Sequence, residues 1–199
     1  MSNRNTKLRL LEVAHDLIWE SSYGSVSVDD ICAKAAVAKG SFYHAFKSKS
    51  ELAVAAFENH WQQKRPALDQ MFSLQTPPLE RLKLYCDFAV ADQLGKYETL
   101  GKVAGCPFSS VGCELSTQDE NIRQKAHEMN ARMVKYFTAM VLELIAEGTV
   151  QETDAVELAK EMCAYITGVL TQAKIDNEIK SVRRMLPGLL RLLGIQKAI

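Results

Sequence analysis

The apolar residues of this chain recur at steps of three and four, and this periodicity constrains its fold more than any other feature. Leu10, Val13, Ala14, Leu17 and Ile18 mark one face of a helix. Ile122, Ala126, Met129, Met133, Phe137, Met140 and Leu144 mark another. Alternating apolar and polar residues, the signature of a half-buried strand, occur over no useful length, and no internal repeat is present. The periodicity predicts an all-α fold.

Punctuation between the periodic segments sets the expected order. Tyr23-Gly24-Ser25 breaks the first helix. Ser27 caps a short helix over 28–34, with Asp30 three residues on, and a second short helix spans 39–46. Ser48 and Glu51 form a second capping box, opening a long helix to about Met71 that Pro66 can perturb. Thr76-Pro77-Pro78 stops it, and the next helix is expected from Leu79 to Leu94. Gly95 to Gly112, with four glycines and Pro107, reads as the least regular stretch. Ser116 or Thr117 is the expected cap of the following helix, which Gly148 ends. A helix over 154–176 follows, then a last one to about Leu193 that Pro187-Gly188 should kink or split. The expected division is a helix-turn-helix domain over 1–47 and a helical effector-binding and dimerisation domain over 48–199.

Composition narrows the function. Twenty-four basic residues balance 24 acidic ones, so any nucleic-acid site must be local. Lys34, Lys39, Lys47 and Lys49 against Asp29 and Asp30 give the stretch from Ser27 to Lys49 an excess of two positive charges (4 − 2). No apolar run is long enough to cross a membrane, and the N-terminus lacks the pattern of a signal peptide. Five cysteines, odd in number and sparse, predict reduced thiols and a cytoplasmic protein. The four histidines show no metal-ligand spacing, so no metal and no cofactor is expected.

Two short helices joined by a tight turn, behind a supporting helix, are the minimal device for reading a major groove. The stretch SVDDICAKAAVAKGSFYHAFKSKSEL, Ser27 to Leu52, resembles the DNA-binding domain of TetR/AcrR-family regulators. The likeness covers residues 6–52, and Gly40, Tyr43, Phe46, Lys49 and Leu52 stand at its most diagnostic spacings. It implies a transcription regulator, not an enzyme, that binds double-stranded DNA. The residues themselves support the same roles. The hydroxyls of Ser27 and Ser41 can donate to phosphates, and Gly40 lets backbone approach a duplex. Tyr43 and His44 project from the second helix, Lys39 starts it, and Lys49 is expected to clamp a phosphate. Ile31, Val37, Phe42 and Phe46 are the expected small core. Ala36 stands where the family often has Gly, Ala38 caps poorly, and Ala45 replaces a frequent aromatic or His.

The helix over 154–176 carries two apolar rows: Val156, Ala159, Cys163, Ile166, Leu170 and Ala173, then Leu158, Met162, Tyr165 and Val169. One row can face the chain's own core, and the other is expected to need a partner. A homodimer joined through this helix and the last one would set two reading helices about 34–36 Å apart, matching a near-palindromic operator.

Phe88, Met129, Met133, Phe137 and Tyr165 are candidate lining residues for a pocket holding a small-molecule inducer. The run from Gly101 to Arg123, and Gln172-Ala173-Lys174-Ile175, are similar to the N-ethylmaleimide-responsive repressor (NemR-like) subgroup. That likeness implies Cys106 as a sensor of electrophiles or oxidants and Lys174 as its partner. Pro107 and Cys113 depart from the subgroup's pattern. The alternative of another class is an all-α thiol enzyme, peroxidase- or reductase-like, using Cys106 or Cys113, although the chain has no Cys-x-x-Cys pair.

Overall fold

The structure, a computed structural model, describes residues 3–196. The outermost residues of both expected domains, 1, 2 and 197–199, lie outside it. Among the described residues all regular structure is helical: α1 (Asn3–Glu20), α2 (Val28–Lys34), α3 (Lys39–Ala45), α4 (Lys49–Met71), α5 (Pro78–Leu100), α6 (Pro107–Leu115), α7 (Glu120–Ala146), α8 (Ala155–Asp176), α9 (Ile179–Val182) and α10 (Met185–Leu192).

These helices form two compact units. The first holds the chain up to Arg65 and Pro107–Met129; the second holds Pro66–Cys106 and the chain from Asn130 onward. In the first, the predicted α1 stripe is the buried one. Leu10, Ala14 and Ile18 pack with Ile31, Cys32 and Ala35 of α2, Phe42 of α3, Phe46, and Leu52, Ala53, Ala56 and Phe57 of α4. Val111 of α6 and Ile122 of α7 complete this core. Phe42 is fully buried, which stabilises the unit by about 2–3 kcal/mol relative to an exposed ring.

The second unit buries a guanidinium. Arg81 of α5 is 1% exposed, and its two terminal nitrogens donate to Glu143 of α7 at 2.7 and 2.8 Å. Its Nε donates to the Thr76 carbonyl at 2.6 Å. A bidentate pair with Nε–H satisfied as well is the arrangement that makes a buried charge tolerable. Phe72, Tyr85, Tyr136 and Phe137 form an aromatic cluster in the same unit. Asp154 caps α8 with its carboxylate, and Asn177 ends that helix in the left-handed region.

Several expected boundaries move. α5 runs to Leu100 rather than Leu94, because Gly95 is tolerated inside it and the left-handed Gly101 supplies the stop. Much of the stretch expected to be irregular is α6, with Pro107 at its first position, where a missing N–H costs nothing. The cap of α7 is Asp119, whose carboxylate accepts from the Ile122 N–H at 3.1 Å, rather than Ser116 or Thr117. The last segment does split, but at Arg183 and Arg184, ahead of Pro187. Pro187 therefore lies in the first turn of α10, where no intrahelical partner is lost. Pro66 stays within α4. At the second capping box, Ser48 accepts from the Glu51 N–H as expected, while Glu51 reaches back to the N–H of Lys47.

On α8 the two apolar rows are not divided between self and partner. Leu158 and Met162 of the second row are buried within one chain, as are Ala159, Cys163, Ile166 and Ala173 of the first. Only Tyr165 and Val169 of the second row stay half-exposed.

Candidate nucleic-acid interface

The first helix of the motif is fixed at both ends. Ser27 Oγ accepts from the Asp30 N–H at 3.1 Å, and Asp30 Oδ2 accepts from the Ser27 N–H at 2.8 Å, a complete capping box. The Ser27 hydroxyl also donates to Asp30 Oδ2 at 2.6 Å. These contacts from the Ser27 side chain, then its backbone, hold the Asp30 carboxyl below its ordinary range. At the other end, the N–H of Ala36 bonds to the Ala33 carbonyl (3.1 Å) and that of Val37 to the Cys32 carbonyl (3.0 Å). This is the Schellman pattern, and it puts Ala36 at φ 49, where glycine is the comfortable residue. Arg9 of α1 donates to the Ala35 carbonyl, tying the turn to the supporting helix.

α3 divides cleanly between inside and outside. Phe42 and, just past the helix, Phe46 are buried, while Lys39, Gly40, Ser41, Tyr43 and His44 are exposed. At about 100° per residue, Tyr43, Gly40, His44 and Ser41 occupy successive positions on one outward arc. Gly40 stands inside that arc. A Cβ added there would meet nothing within 4 Å, so no packing inside the chain requires glycine. Ala38, at the N-cap, makes no side-chain capping bond, as its methyl dictates. Ala45 is half-buried against the core.

The lysines differ in what they touch. Lys39 pairs with Asp29 of α2 at 2.8 Å, and the hydrogen bond to Asp29 raises its pKa. Lys34 lies 3.6 Å from Glu20. Lys49 Nζ donates to the carbonyls of Tyr23 (2.9 Å) and Val26 (2.8 Å) and lies 4.0 Å from the Tyr23 ring centre. Burial pushes its pKa down. Two of its three N–H groups are thus engaged inside the unit, leaving little for a phosphate. Lys47, which sequence reasoning counted but did not single out, is exposed, and among the described residues its ammonium makes no ion pair. It differs in this from Lys34 and Lys39, which pair with carboxylates, and from Lys49, which is held by backbone carbonyls.

The other expected site residues fall in separate places. Cys106 is half-buried. The preceding Gly105, at φ 72, is pinned by the buried Gln93 amide, which accepts from its N–H (2.8 Å) and donates to its carbonyl (3.2 Å). A Cβ on Gly105 would stand 3.1 Å from Lys174 Cδ, so Lys174 lies against the residue next to Cys106. None of the five cysteines is in a disulfide; Cys113 is exposed, and burial pushes the thiol pKa values of Cys86 and Cys163 up to about 12. Of the pocket candidates, Met129 belongs to the first unit and is 1% exposed, whereas Phe88, Met133, Phe137 and Tyr165 belong to the second. Phe137 is fully buried in the aromatic cluster, and Phe88 and Met133 are half-buried. Tyr165 instead lines a groove of about 370 Å³ with Gly168, Val169, Gln172, Ser181 and Arg184.

Among the described residues no group of His, Cys, Asp and Glu could hold a metal ion, and no helix is long and apolar enough to cross a membrane.

Residues 10–56 match the family model of bacterial regulatory proteins, tetR family. Residues 78–189, more than half the chain, match that of the tetracyclin repressor-like C-terminal domain. The chain is 30% identical over 180 residues to an uncharacterized HTH-type transcriptional regulator in the lacX 3' region of Lactococcus lactis subsp. lactis, covering 88% of this chain and 87% of the relative. It is 24% identical over 188 residues to the HTH-type transcriptional repressor NemR of Escherichia coli strain K12, covering 93% and 92%. The crystal structure of regulatory protein TetR from Rhodobacter sphaeroides superposes with a TM-score of 0.82 at 24% identity, over 93% of this chain and 97% of that one. The helix order, the outward α3 and both family matches agree: the chain belongs to the tetR family of bacterial transcription regulators.

Proposed function

We propose that the chain is a cytoplasmic repressor that binds a near-palindromic DNA operator as a homodimer and releases it when a small molecule, an electrophile or an oxidant acts on the C-terminal part. Residues 1–47 act as the reading domain and 48–199 as the effector and dimerisation domain. One observation carries the DNA reading: α3 turns Gly40, Ser41, Tyr43 and His44 outward while Phe42 and Phe46 anchor it. A glycine in a helix costs about 1 kcal/mol relative to alanine. With no internal neighbour near Gly40, its use fits close approach by an external backbone. Ser41, Tyr43 and His44 contact base edges or phosphates. Lys39 and Ser27 reach the duplex at the motif's edge, Lys47 adds a phosphate contact, and Lys49 acts chiefly by holding the Tyr23–Val26 loop.

Dimerisation is supported by the groove on α8. Gly168 is exposed in the middle of a 22-residue helix, and a Cβ there would meet nothing within 4 Å of its own chain. With half-exposed Tyr165 and Val169 beside it, this is a point where a second copy's helix can approach closely.

Sensing at Cys106 is supported by Lys174, whose side chain packs on Gly105.

Selection of bound fragments from a random DNA pool tests the reading. Enrichment of inverted half-sites one helical turn apart is expected. Failure of the purified protein to enrich any sequence at low salt overturns it.

A further inference from the structure

Residues 23–26 join α1 to the capped start of α2, and opposite charges hold their backbone. Lys49 takes the carbonyls of Tyr23 and Val26, as described above. The Glu114 carboxylate takes the N–H groups: Oε2 accepts from Tyr23 at 3.1 Å and Oε1 from Gly24 at 2.7 Å. Glycine at 24 leaves room for this, since an added Cβ would stand 2.9 Å from Glu114 Oε1. The negative charges of Asp119 and Glu114 also help raise the Tyr23 hydroxyl's pKa, after burial.

Glu114 stands in the last turn of α6, and α6 is itself fixed. Val111 is 1% exposed in the core, Phe108 meets Phe57 edge-on at 5.2 Å, and a Cβ on the buried Gly112 would stand 2.9 Å from Ala126 Cβ of α7. The carboxylate therefore has a rigid base. Closure of the first unit does not depend on it, because Leu10, Ile31, Phe42 and Leu52 are fully buried without its help.

We infer that Glu114 is a positioning residue: through the N–H groups of Tyr23 and Gly24 it makes the placement of the DNA-reading helices follow α6. The inference rests on the DNA-reading role of α3 proposed above. A carboxylate can accept both N–H groups at once. An amide offers one oxygen and opposes the second N–H with its own donors; alanine offers nothing.

Glu114→Gln and Glu114→Ala in the full chain test this with an operator fragment taken from the random-pool selection. Simple electrostatics predicts tighter DNA binding when a negative charge is removed from the reading unit. Positioning predicts the opposite: about threefold weaker binding for Gln and about tenfold for Ala, the scale of a lost charge-assisted hydrogen bond. Thermal midpoints should stay within a few degrees of the parent, and amide exchange should speed up at Tyr23 and Gly24. Should the Ala variant fold poorly, the Gln variant carries the test. Parental or tighter operator affinity in a folded variant overturns the inference while leaving the DNA reading intact. A parent chain that selects no DNA overturns the DNA reading itself.

Discussion

Lys39 at the start of α3 lies 2.8 Å from Asp29 of α2, so the two short helices of the motif share an ion pair on their exposed side. Both residues are exposed, and the pair adds little to stability. Its consequence concerns DNA, because Asp29 neutralises a cation at the edge of the reading face. Asp29→Asn should raise operator affinity about three- to tenfold at low salt. It should also steepen the dependence of log affinity on log salt by about one, as one further lysine neutralises phosphate. Fluorescence anisotropy titrations across a salt series check both. An unchanged slope would show that Lys39 stays away from phosphate even when released.

Gly40→Ala should move stability and binding in opposite directions. The added methyl meets nothing in the chain, so helix propensity alone acts, and α3 should gain about 0.5–1 kcal/mol. Operator affinity should fall tenfold or more, because the methyl occupies space expected to belong to the duplex. A urea midpoint and a binding isotherm on the same preparation separate the effects. Equal affinity in parent and variant would place the DNA away from this helix face.

Ala36→Gly should stabilise the protein. Ala36 sits at φ 49 with both Schellman bonds made, and a Cβ in that region costs about 1 kcal/mol. Glycine removes this strain, partly offset by its freer unfolded chain. A rise of roughly 1–3 °C in the thermal midpoint is expected for a chain of this length. No rise would mean that the turn relaxes around alanine at no cost.

The Ser27–Asp30 box makes a pH prediction. Asp30's folded-state pKa is depressed by its hydrogen bonds to Ser27, so its contribution is fully present above the ordinary carboxylate range. It is lost as pH falls through the depressed value. Ser27→Ala should therefore lower stability at neutral pH, with the deficit shrinking as the medium becomes strongly acidic. Denaturant midpoints of parent and variant at pH 7 and in the acid range test the convergence.

The sequence revealed most clearly the features set by local chemistry. The α1 stripe, the α2 cap and the α2 and α3 spans depend on residues a turn or two apart, and the structure shows them as expected. What stayed hidden depends on long-range contacts. Nothing local to the Gly95–Gly112 stretch announces a helix, because Gly112 is needed only for the approach of Ala126 on α7. Lys49 looked like a phosphate clamp from its position, yet its partners lie at Tyr23 and Val26, 26 and 23 residues away. Glu114 was invisible for the same reason, its acceptors' partners being 90 and 91 residues distant.

The packing of α8 on α10 turns on the pair Gly188 and Tyr165. A Cβ on Gly188 would fall 1.8 Å from Tyr165 Oη and 2.2 Å from Cζ, distances no real contact allows. Tyr165 also donates from its hydroxyl to the Arg184 carbonyl at 3.3 Å, which holds the ring in place. Gly188→Ala should therefore force the ring aside and cost about 1–3 kcal/mol, the usual scale of overpacking. Because Tyr165 lines the groove assigned to the second copy, the dimer should weaken too. Tyr165→Ala opens the space that the new methyl needs. In the double variant the penalty of Gly188→Ala should largely vanish, giving a coupling energy of 1 kcal/mol or more in a double-mutant cycle. Denaturant midpoints give the cycle and analytical ultracentrifugation the association state. Strict additivity would show that the helices separate rather than the ring turning, and that Tyr165 does not govern this face.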